Sequence, residues 1–284
     1  MRWQGRRKSD NVEDRRGISG RGLAVGGGLG GLIIVALYLL LGGNADQITQ
    51  NLRPGGETSP AAAGQPLSEK DKELGDFVSV VLADTEDVWR STLSEGGQQY
   101  REPSLVLFTD QVQSACGYAG AATGPFYCPG DEKLYLDLSF FDEMQIKLGA
   151  PGDFALAYVI AHEVGHHVQN QLGIMDQVMS QRGRVSEREF NQLQVRLELQ
   201  ADFLAGVWAH YARQAAGYLE QGDIEEGLNA ASAVGDDRIQ RQQQGYVVPD
   251  AFTHGTSEQR VRWFKKGLET GDINQGDTFN ADIL

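Results

Sequence analysis

The sequence predicts an α+β domain, mainly helical with a small β-sheet, carried behind one N-terminal transmembrane helix. Three observations carry that expectation. Apolar residues recur at helical spacing from Glu69 to about Leu93, from Asp153 to Gln171 and beyond Ser186. Two short runs, Ser104 to Phe108 and Lys133 to Leu138, read as strands. Between Gly22 and Ala45 no charged side chain occurs. A chain of 284 residues with 40% hydrophobic composition can bury a core as one domain with appendages or as two small domains.

The helices carry their own start signals. Ser68 is an N-cap, and Leu74, Phe77, Val78, Val81, Leu82 and Val88 follow on one face, with Trp89 placed to anchor the end in the core. Gly173 stands in the C′ position after the helix over 153–171. Ser186-x-x-Glu189 is a capping box opening a helix through about Ala216; Asp223 to Ala233 is a further helix, and Thr256-x-x-Gln259 opens a last one to about Leu268. In the second strand Leu134, Leu136 and Leu138 alternate with Tyr135 and Asp137, after a turn at Pro129-Gly130-Asp131.

The N-terminal region divides into a basic tail (1–22), an apolar span (23–43) and a Gly, Pro, Ala, Ser and Thr-rich tether (44–66), with the folded domain at 67–284. A helix of roughly 20 residues crosses a hydrocarbon layer of about 30 Å. Arg2, Arg6, Arg7, Lys8, Arg15, Arg16 and Arg21 precede the span. The positive-inside bias then gives a single-pass protein of the cell membrane, with a cytoplasmic N-terminus and an extracytoplasmic folded domain. A signal peptide cleaved near Gly43-Asn44-Ala45 and a buried apolar helix are the alternative readings. Gly26, Gly27, Gly28, Gly30 and Gly31 include small-xxx-small spacings, but these arise easily in so Gly-rich a segment and fix no oligomeric state.

The net charge of -14 is uneven, because the first 22 residues hold seven of the 25 Lys and Arg and three of the 39 Asp and Glu. So acidic a body would repel phosphate backbones, which excludes nucleic acid as a partner. Cys116 and Cys128 are the two cysteines. Their even count suggests one disulfide closing a short loop, with two free buried thiols as the alternative; a metal role is disfavoured because no C-x-x-C spacing or nearby His accompanies them.

The chemistry concentrates in His162-Glu163-Val164-Gly165-His166. Residues four apart on a helix have Cβ atoms about 6 Å apart on one face, so both imidazoles can meet one zinc ion. Glu163 sits about 100° round the helix, beside the ion, where its carboxylate can take a proton from a water that the ion activates. A chance match of three residues is the bland alternative. A third ligand must come from elsewhere. Glu198 is the candidate, with Asp202 one turn on to accept the ring N–H of a histidine ligand, His162 first; a solvated acidic face is the other reading, and Asp202 or Glu187 would be next in line as the ligand.

His210 lies twelve residues beyond Glu198, roughly 18 Å along a helix, and cannot share its ion. His167 points about 100° away from His166. His254, in the loop before the last helix, can stabilise an oxyanion over the metal or simply cap that helix. Tyr246 is a weaker oxyanion candidate, and Arg260 reads as a structural ion-pair partner.

With these residues in place the chain resembles the neutral zinc metallopeptidase family of bacteria, single-pass proteins with an extracytoplasmic catalytic domain. The segments that carry the likeness, within about Leu67 to Gly271, are Phe77 to Trp89, Gly124-Pro125-Phe126-Tyr127-Cys128-Pro129, Tyr135 to Leu138, the zinc helix, Glu198 to Asp202 and the His254 loop. More distantly, the order of zinc helix, Glu-x-x-x-Asp helix and final His-to-Arg loop is similar to the gluzincins. That likeness implies a zincin-like fold, Zn2+ held by His162, His166 and Glu198, and His254 as transition-state stabiliser. It further implies hydrolysis of a polypeptide substrate that pairs with an edge strand, for which Lys133 to Leu138 is the best match. Two other functions share these residues: a non-catalytic zinc-binding interaction or assembly factor at the membrane, and hydrolysis of some other amide, such as a cell-wall crosslink.

Overall fold

The computed structural model describes residues 1–17, 67–120, 123–215 and 217–284. In chain order they form β1 (Val12–Asp14), α1 (Glu69–Glu95), β2 (Ser104–Phe108), β3 (Gln111–Ser114), β4 (Gly117–Gly120), β5 (Phe126–Cys128), β6 (Lys133–Asp137), α2 (Ser139–Ile146), α3 (Asp153–Gln171), α4 (Ile174–Met179), α5 (Glu187–Gln214), α6 (Asp223–Ala233), α7 (Asp236–Gln244) and α8 (Ser257–Thr270). Helix α1 opens on a capping box between Ser68 and Asp71, α5 on Ser186 with Glu189, and α8 on Thr256 with Gln259. Each box satisfies two backbone donors that a helix start leaves orphaned.

Helix α5 packs against both α3 and α8. Glycines set how closely. A Cβ at Gly165 would lie 3.0 Å from Ala201 O, and one at Gly267 would lie 2.0 Å from Phe203 O. The second position admits no side chain, and the first admits one only if the helices separate by a few tenths of an ångström. Phe154 stacks on Trp208 with ring centroids 5.5 Å apart, and both are fully buried with Phe203 and Phe264. Rings of this size contribute on the order of 1.5–3 kcal/mol each on burial.

The sheet has the order β1-β2-β6-β5, with β1, β2 and β6 parallel and β5 antiparallel to β6. Alternation along β2 and β6 serves two apolar layers. Leu105, Leu107, Leu134 and Leu136 join the main helical core. Val106, Phe108 and Tyr135 face the other side, where Val112 of the β3–β4 hairpin and Cys128 complete a smaller cluster. Cys116 and Cys128 form a disulfide, Cα–Cα 5.8 Å, which ties the hairpin to β5. Strand β6 is therefore an inner strand. The edge on the far side of the sheet from β1 is β5, so the run at 133–138 is not the edge strand expected from the resemblance; Leu138 already caps α2.

The mixed helix-and-sheet composition agrees with the sequence; the membrane anchor does not. The apolar span at 23–43 and the tether at 44–66 lie outside the described residues, and among the described residues no helix is long and apolar enough to cross a membrane. Residues Met1–Arg16 belong to one compact unit with Leu67–Leu284, and β1 pairs with β2 in the register Val12↔Leu105 to Asp14↔Leu107. One membrane crossing between residues 23 and 43 would place a bilayer between those two strands. The single-pass topology, with a cytoplasmic N-terminus and an extracytoplasmic domain, is accordingly not supported.

The basic residues at the N-terminus have partners within the fold. Arg7 lies 3.0 Å from Glu86 and 2.9 Å from Asp87, Lys8 lies 2.6 Å from Asp76, and Arg6 contacts Asp84. Glu86, 1% exposed, also accepts from Ser9 and from Asn11 Nδ2. The exposed pairs contribute little; the buried acceptors are what the segment satisfies.

Asp84 is the exception. Burial raises its pKa from 3.8 to about 7 against the pull of Arg6, and its Oδ2 has no hydrogen-bond partner among the described residues. The folded state then holds a proton that the unfolded state has released, so stability from the neutral carboxyl is present at low pH and lost as pH rises from about 4 to about 7. Denaturant unfolding of the wild type beside Asp84→Asn should show the wild type losing stability relative to the variant across that window. A wild type that gains on the variant would contradict the assignment.

Candidate metal centre

The crossing of α3 and α5 at Gly165 and Ala201 sets two imidazoles opposite one carboxylate. His162 Nε2 lies 3.1 Å from Glu198 Oε2, and His166 Nε2 lies 3.4 Å from Glu198 Oε1. One ligand atom from each of the three residues falls within 4.8 Å of the others. Both histidines are buried, and Glu198 is partly so.

The remaining ring nitrogens are held from behind. His162 Nδ1 lies 2.8 Å from Asp202 Oδ1, and His166 Nδ1 lies 2.9 Å from Gln169 Oε1. Asp202 is fully buried yet ionised: burial opposes its charge, but Arg260 and then His162 lower its pKa to about 2. Arg260 donates Nε at 2.7 Å to Oδ2 and its terminal nitrogen at 2.9 Å to Oδ1, while Tyr158 OH donates to Oδ1 at 2.5 Å. An ionised Asp202 can only accept, so His162 Nδ1 carries the hydrogen and its Nε2 faces Glu198.

This donor set fits a cation. Two neutral imidazole lone pairs directed at a carboxylate repel it unless positive charge lies between them. Without an ion that charge is a proton: burial opposes it, yet Asp202 and Glu198 push the His162 pKa up to about 10. Two nitrogens and a carboxylate oxygen are the ligand types zinc takes in its catalytic sites. Residues 162, 166 and 198 would hold the ion.

Glu163 is half-buried and lines the same cleft as His162, His166 and Glu198, a space of about 500 Å³ bounded also by Phe126, Tyr158, Val159 and His254. His254 is half-exposed, and its loop is pinned by Asp236 at the start of α7. Asp236 Oδ2 accepts from the backbone N–H groups of Thr253 at 2.8 Å, His254 at 2.7 Å and Gly255 at 3.1 Å, and Oδ1 lies 3.3 Å from His254 Nδ1. Burial works against a charged His254 ring, but Glu198 and Asp236 together hold its pKa above the ordinary imidazole value.

Other polar candidates stand elsewhere. Tyr246 is 62% exposed and does not line the cleft. Glu187 is exposed in the first turn of α5. His210 Nδ1 pairs with Leu268 O at 2.8 Å. His167 is buried, with Nε2 2.6 Å from Arg101 O and Nδ1 3.1 Å from Tyr127 OH, so it ties the zinc-motif helix to β5. The sequence did not point to Gln169, Asp236 or Tyr158. Only Gln169 and Tyr158 carried a signal, lying three or four residues from a motif histidine, one turn away on the same helix.

A HExxH helix, a carboxylate from the next long helix and a loop histidine over the cleft together define a chain built like a zinc peptidase. It belongs to the family described as "Putative neutral zinc metallopeptidase", which matches residues 1–279 and so takes in the N-terminal segment as well as the site. The chain is 50% identical to the uncharacterized protein YpfJ of Escherichia coli strain K12 across 100% of both chains. It is 45% identical to the uncharacterized protein Rv2575 of Mycobacterium tuberculosis over 69% of this chain and 68% of that one. No solved structure matches it.

Proposed function

We propose that the protein is a zinc-dependent metallopeptidase that hydrolyses peptide bonds in polypeptide substrates. The observation that carries this reading is the convergence of His162 Nε2, His166 Nε2 and the Glu198 carboxylate within 4.8 Å beside Glu163 in an open cleft. Zinc, when bound, supplies Lewis acidity toward a peptide carbonyl and lowers the pKa of water.

The protein's own groups do the rest. Glu163 takes a proton from the attacking water and passes it to the leaving amine. Asp202 holds the His162 ring with Nε2 turned to Glu198. His254, with Nδ1 toward Asp236, presents Nε2–H to the oxyanion that develops on the carbonyl oxygen. Strand β5, at the edge of the sheet with Phe126 and Tyr127 on the cleft, is the place for an extended substrate to add as a strand.

The test is zinc stoichiometry of the purified protein together with cleavage of an unfolded protein substrate, before and after treatment with a chelator. About one zinc per chain is expected, with cleavage abolished by chelation and restored by zinc. Cleavage that survives removal of the metal would sink the proposal.

A further inference from the structure

Gln169 lies one turn beyond His166 on α3 and is fully buried, though the proposed reaction makes no direct use of it. Its amide nitrogen stands 2.7 Å from Leu197 O and 3.0 Å from Gln200 Oε1, and its oxygen stands 2.9 Å from His166 Nδ1. Gln200 places its own nitrogen 2.9 Å from Gly276 O, in the C-terminal segment. Three parts of the chain thus meet in one file of hydrogen bonds: α3, α5 and the turn after α8.

The direction of that file is set by its ends. A backbone carbonyl only accepts, so the amide atom that faces it must be the NH2 group. Leu197 O therefore orients Gln169, and Gly276 O orients Gln200 so that Gln200 Oε1 turns back toward the Gln169 nitrogen. The atom left facing His166 is the Gln169 oxygen, an acceptor. His166 Nδ1 must carry the hydrogen, and the lone pair on Nε2 is the one directed to Glu198.

We infer that Gln169, oriented by Leu197 O and by Gln200, is a positioning residue that fixes the tautomer and ring orientation of His166 for metal binding; this rests on the reading of His166 as a zinc ligand. A carboxylate supplies the same acceptor toward His166 and differs only on its other side. The oxygen that replaces the amide nitrogen would set its lone pairs against Leu197 O and Gln200 Oε1, a cost to folding stability and not to the His166 contact, whereas one neutral amide donates twice and accepts once. The two histidines are consequently backed differently, His162 by the ionised Asp202 and His166 by a neutral amide. Partners behind a metal-bound histidine typically govern affinity by about 10–100-fold.

The experiment compares the full-length wild type, Gln169→Met and Gln169→Glu. It reads zinc affinity by chelator competition and the ligand-field spectrum of the cobalt(II)-substituted proteins, with unfolding midpoints measured in parallel. Methionine keeps the volume and removes the acceptor; glutamate keeps an oxygen toward His166 and loses the amide nitrogen. Gln169→Met should bind zinc about 10–100-fold more weakly with an altered cobalt spectrum, and Gln169→Glu should stay within about threefold of wild type. Equal affinity of Gln169→Met and wild type overturns the inference, as does Gln169→Glu falling as far as Gln169→Met. Where Gln169→Met does not fold, a loss of about tenfold or more in Gln169→Glu overturns it. A wild type that binds no zinc overturns the metallopeptidase reading and this inference together, whereas wild-type binding with an unaffected Gln169→Met overturns this one alone.

Discussion

Glu163→Gln is expected to lower peptide-bond cleavage by about 10²–10⁴-fold, the usual range for losing a positioned general base. Zinc content should stay at about one per chain, because Glu163 lies beside the three ligand side chains and is not among them. Glutamine keeps the size and hydrogen-bonding reach of glutamate but cannot take up the proton. The two measurements together separate three molecules that share one site. Loss of cleavage with zinc retained identifies a peptidase that uses Glu163 as base. A wild type that holds zinc and cleaves nothing is instead a zinc-binding interaction protein. Cleavage within about tenfold of wild type in the variant would remove Glu163 from the chemistry.

Arg260→Met should be the most destabilising single change near the site. Arg260 is 4% exposed, and it spans both oxygens of Asp202, the Tyr158 hydroxyl at 3.2 Å and Val234 O at 3.1 Å. Its loss leaves a fully buried carboxylate with His162 as its one remaining charge partner. Removing one member of a buried pair costs about 3–5 kcal/mol, and urea unfolding at neutral pH should show a loss of that size. Adding Asp202→Leu should recover part of it, since an apolar pair replaces an orphaned charge, yet zinc affinity should fall further because His162 loses its acceptor. A single variant within about 1 kcal/mol of wild type would mean that the ion pair is idle.

Most of the helical framework and the residues that cluster at 162, 166 and 198 could be read from the amino acids, because each is encoded locally. The capping boxes at Ser68, Ser186 and Thr256 each span four residues, and the pairing of His162 with His166 is one helical turn. Glu198 and Asp202 were found the same way, by sharing a face. What escaped lies in contacts distant in sequence. Asp236 meets His254 across 18 residues, and Gln200 meets Gly276 across 76. Strand β5 has three residues, too few for any alternation to register. The N-terminal segment misled for a clear reason. Basic residues ahead of an apolar stretch follow the positive-inside pattern, and nothing nearby in the sequence reveals that α1 offers them partners, Asp84 to Arg6, Glu86 to Arg7 and Asp76 to Lys8.

The place of β1 in the sheet also orders events during synthesis. Val12–Asp14 leaves the ribosome ahead of its hydrogen-bonding neighbour Leu105–Leu107, which follows more than 90 residues later. At bacterial-like elongation of about 5–20 residues per second, the strand waits roughly 5–20 s before it has anything to pair with. Through that interval it is a three-residue strand flanked by charge, a form that resists pairing with strangers. The strand thus has no sheet to join until the chain has grown past Leu107, and its docking then closes a long stretch of chain between the two paired segments.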